Sequence, residues 1–278
     1  MYAIITAQEF HTIERCELKL MMLFTVDIGN TNIEFGVFEN DSLKASFRLI
    51  TNRDITSDEV GLNIRQFLTI YGIEVSAIQD VLISSVVPQV MYSVKNAMRK
   101  YLNLEPLVIQ ENISVNIANK YAHPAEVGAD RLVNAYAAYR KYGGNLIVVD
   151  FGTATTFDVI DEEGAYLGGA IYPGVKISLD ALVNKTSKLP KVEIAKPEQV
   201  IGTNTVMSMQ SGVVYGYTGA VINIVAQMER ELGCAATVVA TGGLARMIGS
   251  QCDVFKVIDK TLTLDGMQMI YRDYKQLQ

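Results

Sequence analysis

Histidine, cysteine and tryptophan are scarce in this chain of 278 residues, which has two histidines, three cysteines and no tryptophan. The cysteines are odd in number and far apart, at Cys16, Cys234 and Cys252, so they predict neither a disulfide framework nor a zinc site. His11 and His123 are isolated as well, which excludes the metalloprotease and zinc-deaminase signatures. This use of cysteine is typical of a reducing compartment, and we expect a cytoplasmic protein.

Runs of one charge and long apolar stretches are also missing. The net charge is -6, from 24 basic and 30 acidic residues, and no basic cluster occurs. We therefore expect no nucleic-acid partner, because phosphates of a duplex demand a positive surface. No apolar run reaches the roughly 18 residues of a membrane span, so no membrane partner is expected. Residues 1–21 carry charges where a signal peptide is apolar, and we interpret them as an N-terminal extension outside the core fold.

The two familiar nucleotide-binding motifs are absent too. The chain contains neither the P-loop pattern G-x-x-x-x-G-K-S/T nor the dinucleotide pattern G-x-G-x-x-G. Any nucleotide site in this chain must therefore be built from another arrangement of glycines and polar side chains.

Apolar periodicity in the first half predicts alternating strands and helices. A capping box at Thr56–Glu59 begins an amphipathic helix that ends at Gly72, and Pro88 opens a second helix. The predicted strands lie near residues 23–28, 33–38, 43–49, 80–87 and 106–109. Together these elements give the order βββαβαβ.

The second half repeats this order. LFTVDIGNTNIEFGVF (23–38) aligns without a gap to LIVVDFGTATTFDVID (146–161), with an Asp-x-Gly turn at the same place in each. An internal duplication is the simplest explanation, and the alternative is two hairpins that share only their composition. The predicted strands of this half lie near residues 146–151, 155–160, 165–172, 237–241 and 254–257.

The repeated acids, Asp27 and Asp150, indicate what the two turns hold. An Asp at a strand end with Gly two residues later brings a carboxylate and exposed backbone N–H groups to one point. Two such turns that face each other across a cleft can bind a phosphate chain with its Mg²⁺. Neither turn contains Lys or Arg. The pattern predicts a two-domain phosphotransferase of the type formed by sugar kinases, heat-shock chaperones and actin.

Seven segments narrow this prediction to one family. They are DIGNTN (27–32), YAHPAEVGADR (121–131), VVDFGTATT (148–156), GGAIYPGV (168–175), KTSKLP (185–190), GTNTVMSMQSG (202–212) and ATGGLA (240–245). In order and spacing the chain resembles the type III pantothenate kinases over essentially all of residues 22–270. The G-A-D-R, K-T-S-K-L-P and S-M-Q-S-G portions are specific to that family, whereas the Asp-Gly turns alone indicate only the superfamily.

The resemblance implies an α/β fold with two tandem ribonuclease H-like βββαβαβ domains and a nucleotide cleft between them. We expect residues 22–142 to form the first domain, ending in the substrate-binding helix, and residues 143–278 to form the second. The implied function is ATP-dependent phosphorylation of pantothenate to 4'-phosphopantothenate, the first step of coenzyme A biosynthesis. A homodimer is also implied.

The same resemblance assigns nucleotide and cation residues. Asp27 is implied to organise Mg²⁺ through water, and Asp150 to bind a monovalent cation, K⁺ or NH4⁺. Glycines of segment 240–245 are implied to lie against adenine, although they could instead form a helix cap or a tight turn. The implied ATP contacts are Asp27, Ile28, Gly29, Asn30, Thr31, Asn32, Ile33, Glu34 and Thr153.

For the substrate, the resemblance makes Asp130 the general base that accepts the proton of the attacking hydroxyl. The alternative for Asp130 is a helix N-cap. Arg131 is implied to bind the carboxylate of pantothenate, and a surface salt bridge is its alternative. The full set of implied substrate residues is Tyr121, Gly128, Ala129, Asp130, Arg131 and Thr205.

Two further segments have interpretations of their own. The polar, proline-containing stretch 185–197 is predicted to be a surface loop near the site, and the methionines of TVMSMQSG (205–212) are predicted to pack. Two other functions stay open from the sequence. One is a kinase of the same superfamily that acts on a sugar or a carboxylate, and the other is a related nucleotide-binding accessory protein of transcription.

Overall fold

The computed structural model describes residues 22–278, so the interpretation of residues 1–21 as an extension lies outside it. Within the described residues, ten strands form two five-stranded sheets. The strands are β1 Met22–Ile28, β2 Asn32–Glu39, β3 Ser42–Ile50, β4 Ile78–Ser85, β5 Leu107–Val108, β6 Leu146–Phe151, β7 Ala154–Ile160, β8 Tyr166–Pro173, β9 Thr237–Gly242 and β10 Val257–Ile258.

The two sheets have the same topology. Their strand orders are β3-β2-β1-β4-β5 and β8-β7-β6-β9-β10, when the second is written from its antiparallel edge. In each sheet the first three strands are antiparallel and the next two pair in parallel. The predicted α/β fold with two copies of a βββαβαβ unit is confirmed.

The helices begin and end where the sequence has caps and breakers. Thr56 and Glu59 form the predicted capping box of the first helix, and Gly72 follows its end with a φ of 66°. The helices within the described residues are α1 Ser57–Ile70, α2 Pro88–Ala97, α3 Ala129–Tyr142, α4 Val175–Asn184, α5 Thr205–Leu232, α6 Ala245–Gly249 and α7 Leu262–Gln276. Among the described residues, no helix is both long enough and apolar enough to cross a membrane.

Both faces of each sheet are apolar, and we call the face toward α3 and α7 the inner face and the opposite one the outer face. The outer face of the first sheet packs on α1 and α2, and that of the second packs on α5 and α6. The inner faces meet α3 and α7, which also pack against each other. Helix α7 comes from the C-terminal end of the chain yet packs on β1, β2 and β4 of the first sheet. The two halves are therefore joined through a shared layer of two helices.

Two sequence-based details need correction. The gap-free alignment of the two turns fails, because Asp27 lies opposite Glu34 whereas Asp150 lies opposite Thr156 rather than Phe157. The second turn is one residue shorter, so every later residue of β7 shifts by one relative to β2. The last predicted strand, near 254–257, is present but lies later in the chain, since the ladder with β9 begins only at Val257.

Candidate active site

A cleft of about 670 Å³ lies where the two turns meet, and both halves of the chain line it. It is lined by the first loop, residues 29–32, and by the second loop, residues 152–154. The end of β9 with Gly242 and Gly243, part of α4, and Ile194 line it as well. Ile194 belongs to the predicted loop 185–197, which has neither helix nor strand. The expected cleft between the repeats is therefore present.

Hydrogen bonds hold the two loops in place. The Gly29 N–H donates to Asn32 O at 3.0 Å, and the Thr51 hydroxyl donates to Gly29 O at 2.7 Å. Between the loops, the hydroxyl oxygens of Thr31 and Thr153 lie 2.6 Å apart. These residues are 122 positions apart in the chain, so the bond joins the two halves at the cleft.

Most of the predicted ATP contacts line this cleft, but two of them can do so only through the backbone. Asp27, Gly29, Asn30, Thr31, Asn32, Glu34 and Thr153 all line it. Ile28 and Ile33 have fully buried side chains that pack in the core of the first sheet. Any contribution of these two isoleucines to nucleotide binding would come from their N–H and C=O groups.

Three half-buried carboxylates line the cleft, those of Asp27, Asp130 and Asp150. Burial raises the pKa of Asp27 to about 8, and the neighbouring Asp130 carboxylate adds to the shift. Burial likewise raises the pKa of Asp150 to about 7, again with a contribution from Asp130. Desolvation and mutual repulsion both oppose ionisation here, and a bound cation would offset both. The donor chemistry therefore fits hard cations such as Mg²⁺ and K⁺.

The protein itself supplies few ligands to such cations. Within residues 22–278, no group of three or more His, Cys, Asp or Glu side chains is arranged to hold a metal ion. Mg²⁺ usually keeps several waters and is bound through one or two carboxylates together with substrate phosphates. Asp27 and Asp150 fit that mode of binding better than a dedicated metal cage.

Asp130 lies at the start of α3 with its carboxylate in the cleft. The N-cap of α3 is Gly128 and no side chain caps the helix, so Asp130 does not take the N-cap position considered for it. A Cβ atom at Gly128 would lie 2.6 Å from Oδ1 of Asp130, so glycine leaves room for the carboxylate. Burial raises the pKa of Asp130. A half-buried carboxylate with a raised pKa in a cleft suits a general base.

Arg131 takes part in a buried network rather than the surface salt bridge considered for it. Its Nε donates to Asp158 Oδ1 at 2.7 Å, and the side chains of Arg131 and Asp158 are 11% and 0% exposed. Tyr166 and Thr156 donate hydroxyl hydrogen bonds to the same carboxylate at 2.9 and 3.0 Å. Burial raises the pKa of Asp158 to about 6, against the opposing effect of Arg131, so this carboxylate is ionised at neutral pH.

One nitrogen of Arg131 is incompletely bonded in this arrangement. Its buried Nη2 lies 2.7 Å from Asp158 Oδ1 in the ion pair, but it makes no aligned hydrogen bond within the described residues. Gly169 approaches this nitrogen closely, since a Cβ atom there would lie 3.1 Å away. Arg131 thus keeps the capacity for one more acceptor, such as a carboxylate oxygen.

The other predicted substrate residues divide between two places. The Tyr121 ring centroid lies 6.3 Å from that of Tyr166, so Tyr121 belongs to the surroundings of Arg131. Thr205 lines a separate pocket of about 520 Å³ formed by α4, α5 and β8. Met209 of the methionine segment is buried beside this pocket, as packing predicts. Within one chain, Thr205 and Asp130 therefore line different pockets.

Several residues that the motifs did not reveal also contribute to the cleft. Arg48, Lys176 and Lys260 line it, and Arg48 donates to both oxygens of Glu34 at 2.9 and 2.8 Å. These cations are supplied by β3, α4 and the segment before α7, so the absence of Lys and Arg from the loops does not leave the cleft without positive charge. No local signal marks them, because only the packing of distant elements brings them together.

Comparison with known proteins agrees with the site. Residues 23–227 match the family model described as type III pantothenate kinase. A type III pantothenate kinase from Geobacillus kaustophilus is 46% identical over 250 residues, which are 90% of this chain and 97% of that protein.

Solved structures with lower identity show the fold alone. A Campylobacter jejuni protein, described as a Baf family transcriptional activator, aligns with a TM-score of 0.58 at 22% identity over 91% of this chain and 99% of its own. A Sinorhizobium meliloti protein, described as a 2-dehydro-3-deoxygalactonokinase, aligns with a TM-score of 0.53 at 12% identity over 90% and 96%. Since the family model spans most of the chain and the curated relative covers nine-tenths of it, the chain belongs to the type III pantothenate kinase family.

Proposed function

We propose that this protein transfers the γ-phosphate of ATP to the primary hydroxyl of pantothenate, giving 4'-phosphopantothenate and ADP, the first step of coenzyme A biosynthesis. The family membership supports the reaction. The single observation that carries the mechanism is the position of Asp130, a half-buried carboxylate that shares one cleft with both loops.

Asp130 acts as the general base in this proposal. It orients the pantothenate hydroxyl and accepts its proton as the oxygen attacks the γ-phosphorus, an effect worth about 10²- to 10⁴-fold in rate. Its raised pKa makes the carboxylate a better proton acceptor than an exposed aspartate. The first loop and Thr153 hold the phosphates, and glycines 242 and 243 face the adenine.

Asp27 would hold Mg²⁺ through water and Asp150 would hold K⁺ or NH4⁺. When bound, these cations neutralise charge on the phosphates, which the loops alone cannot do. Arg48, Lys176 and Lys260 line the same cleft and add positive charge at its rim.

Pantothenate binds beside α3 in this proposal. Gly128, Ala129 and Arg131 lie at the start of that helix, and an N–H of Arg131 Nη2 that makes no hydrogen bond beside the ion pair with Asp158 receives the substrate carboxylate. Tyr121 lies close to the same network through Tyr166.

The protein acts as a cytoplasmic homodimer in this proposal. Within one chain Thr205 lies in a different pocket from Asp130. Their separation supports a substrate site near the subunit interface, where a partner chain brings Thr205 to pantothenate.

A coupled assay of ADP release tests the reaction, with ATP, Mg²⁺ and pantothenate in K⁺ or Na⁺ buffer. We expect turnover that depends on pantothenate and is faster in K⁺. Asp130→Asn is expected to lower kcat by about 10²- to 10⁴-fold while ATP still binds. Asp180→Asn, which neutralises an exposed carboxylate at the rim of the cleft, is the matched control and retains activity.

The two remaining alternatives give different results in the same assay. A sugar or carboxylate kinase would release ADP with another acceptor and not with pantothenate. A transcription accessory protein would bind nucleotide without turnover on any acceptor. Absence of turnover with pantothenate in both K⁺ and Na⁺ would remove the proposed function.

A further inference from the structure

Asn134 connects the helix that carries the general base with the aspartate of the second loop. It lies on α3, one turn after Asp130, and its side chain is buried with 1% exposure. Its Nδ2 donates to Asp150 Oδ2 at 3.2 Å, and its Oδ1 accepts from the Thr263 hydroxyl at 2.7 Å. Asp150 is on β6 of the second sheet, and Thr263 is on α7. Three elements therefore meet at one buried amide.

The chemistry of the three groups fixes the orientation of the amide. In the ionised form that binds a cation, the Asp150 carboxylate can only accept hydrogen bonds, so the NH2 group of Asn134 faces it. The amide oxygen then faces Thr263, whose hydroxyl must donate. Exchange of the amide oxygen and nitrogen would place two acceptors against each other at Asp150, and burial would make that arrangement costly.

The hydrogen bond from Asn134 gives the two carboxylate oxygens of Asp150 different surroundings. Oδ2 is occupied by Asn134, whereas Oδ1 lies against the glycines of the cleft. A Cβ atom at Gly242 would lie 2.5 Å from Oδ1, and one at Gly152 would lie 3.8 Å from it. Gly242 has a φ of 89°, which favours glycine at this position. One carboxylate oxygen is thus anchored and the other is presented to the cleft.

A purely structural asparagine would explain the burial but not the partners. Asn134 donates to Asp150 and accepts from Thr263, and both of these residues line the cleft. These contacts hold the carboxylate of Asp150 in one orientation, with Oδ2 on the amide and Oδ1 at the glycines of the cleft.

We propose that Asn134 is a positioning residue that orients Asp150 toward the monovalent cation, and that Thr263 fixes the Asn134 amide for this task. The proposal rests on the proposed function, in which Asp150 holds K⁺ or NH4⁺. It adds that α3 sets both the position of the general base and the geometry of the cation ligand. Movement of α3 would therefore change proton transfer and cation binding together.

Two variants test this role by separate routes. Asn134→Leu removes the amide while nearly keeping its volume, and Thr263→Val removes only the hydroxyl that orients it. Thr218→Val is the matched control, because Thr218 has a buried hydroxyl on α5 that bonds to Val214 O at 2.8 Å, outside the cleft lining. The three full-length proteins are first compared with the unchanged protein by thermal unfolding.

The decisive readout is binding rather than turnover. The affinity for a non-hydrolysable ATP analogue with Mg²⁺ is measured by calorimetry as K⁺ is varied at constant ionic strength. We expect the half-saturating K⁺ concentration to rise by roughly 10-fold or more in Asn134→Leu, where a hydrogen bond to a charged group is lost, and by about 2- to 10-fold in Thr263→Val. Thr218→Val is expected to match the unchanged protein. In steady-state assays the KM for pantothenate stays constant while the K⁺ requirement rises.

The possible outcomes separate this proposal from the proposed function. Half-saturating K⁺ that stays within twofold in both variants would overturn the positioning role. A drop in kcat that is equal at every K⁺ concentration would also overturn it, as would nucleotide binding by the unchanged protein that does not respond to K⁺. If Asn134→Leu fails to fold, Thr263→Val still decides the matter. If the unchanged protein shows no turnover with pantothenate but the variants still shift the half-saturating K⁺ concentration, only the assignment of pantothenate as substrate is wrong.

Discussion

The two halves share a topology but use one equivalent position in opposite ways. Gly36 on β2 lies opposite Thr25, and Asp158 on β7 lies opposite Val148, which is the counterpart of Thr25. At Gly36, a Cβ atom would lie 3.2 Å from Leu264 Cδ1, so glycine permits close packing of α7. Asp158 is a buried carboxylate that pairs with Arg131 of α3. At this position the first half thus uses its inner face for packing, and the second half uses it to hold the charged side chain of Arg131.

The two repeated aspartates differ in a similar way. Asp150 accepts a hydrogen bond from the Asn134 amide, and burial raises its pKa to about 7. For Asp27, burial and the Asp130 carboxylate raise the pKa further, to about 8. The two repeats therefore surround their aspartates with different neighbours, and in both a bound cation would offset the effect of burial.

The largest expected effect comes from removing the acid that only the second half has. Asp158→Leu leaves Arg131 buried without its partner, and we expect the free energy of unfolding to fall by about 3–5 kcal/mol, as measured by urea denaturation. The double variant Arg131→Met with Asp158→Leu removes both charges and should recover most of the stability. It should also raise the KM for pantothenate. An Asp158→Leu protein as stable as the unchanged one would show that the pair does not support the fold.

Neutralising each repeated aspartate in turn tests which cation that aspartate binds. Asp27→Asn and Asp150→Asn are each expected to lower kcat by about 10²- to 10³-fold, the usual cost of removing one electrostatic group at a reacting phosphate or oxyanion. Titrations with each ion then give the contrast, since Asp27→Asn should raise the Mg²⁺ requirement and Asp150→Asn the K⁺ requirement. A shift for the same ion in both variants would contradict the division between the two loops.

A smaller effect is expected where the first half packs closely. Gly36→Ala adds a methyl group that meets Thr25 Oγ1 at 2.6 Å and Leu264 Cδ1 at 3.2 Å, and should destabilise the fold by about 1–3 kcal/mol. Gly219→Ala is the matched control in α5, where a Cβ atom has no neighbour within 4 Å. That control should stabilise the helix by about 0.5–1 kcal/mol. Thermal unfolding of both variants measures the difference, and equal stabilities would argue against tight packing of α7.

The smallest effect concerns the bond between the two loops. Thr31→Val and Thr153→Val each remove one exposed hydrogen bond, worth about 0.5–1.5 kcal/mol, so we expect ATP affinity to weaken by about 2- to 10-fold in each. Because both variants break the same bond, the double variant should weaken affinity by less than the product of the two effects. Calorimetric titration with the ATP analogue measures this coupling, and strict additivity would show that the hydroxyls act independently.

Local patterns were enough to predict the turns, the first helix and the general location of the site. Asp27, Asp150 and Thr56 each belong to a motif a few residues long, so their positions at two strand ends and a helix start can be predicted without tertiary structure. Asn134 was missed, although its spacing of four from Asp130 on a helix predicts the same face. The pairing of Arg131 with Asp158 could not be predicted, because it depends on how α3 crosses a strand 27 residues away. The one-residue difference in length between the two turns could not be predicted either, because the register is set by how two strands pair.

The position of α7 has a consequence for how the chain folds during synthesis. Leu264, Met267 and Ile270 cover Leu23, Phe38 and Leu82, residues that emerge from the ribosome far earlier. The first sheet therefore cannot complete its inner face until nearly the whole chain has been made, and contacts of such long sequence separation form slowly. A chain that stops before Leu262 is expected to expose this apolar face and to bind a hydrophobic dye, whereas the full-length protein should not.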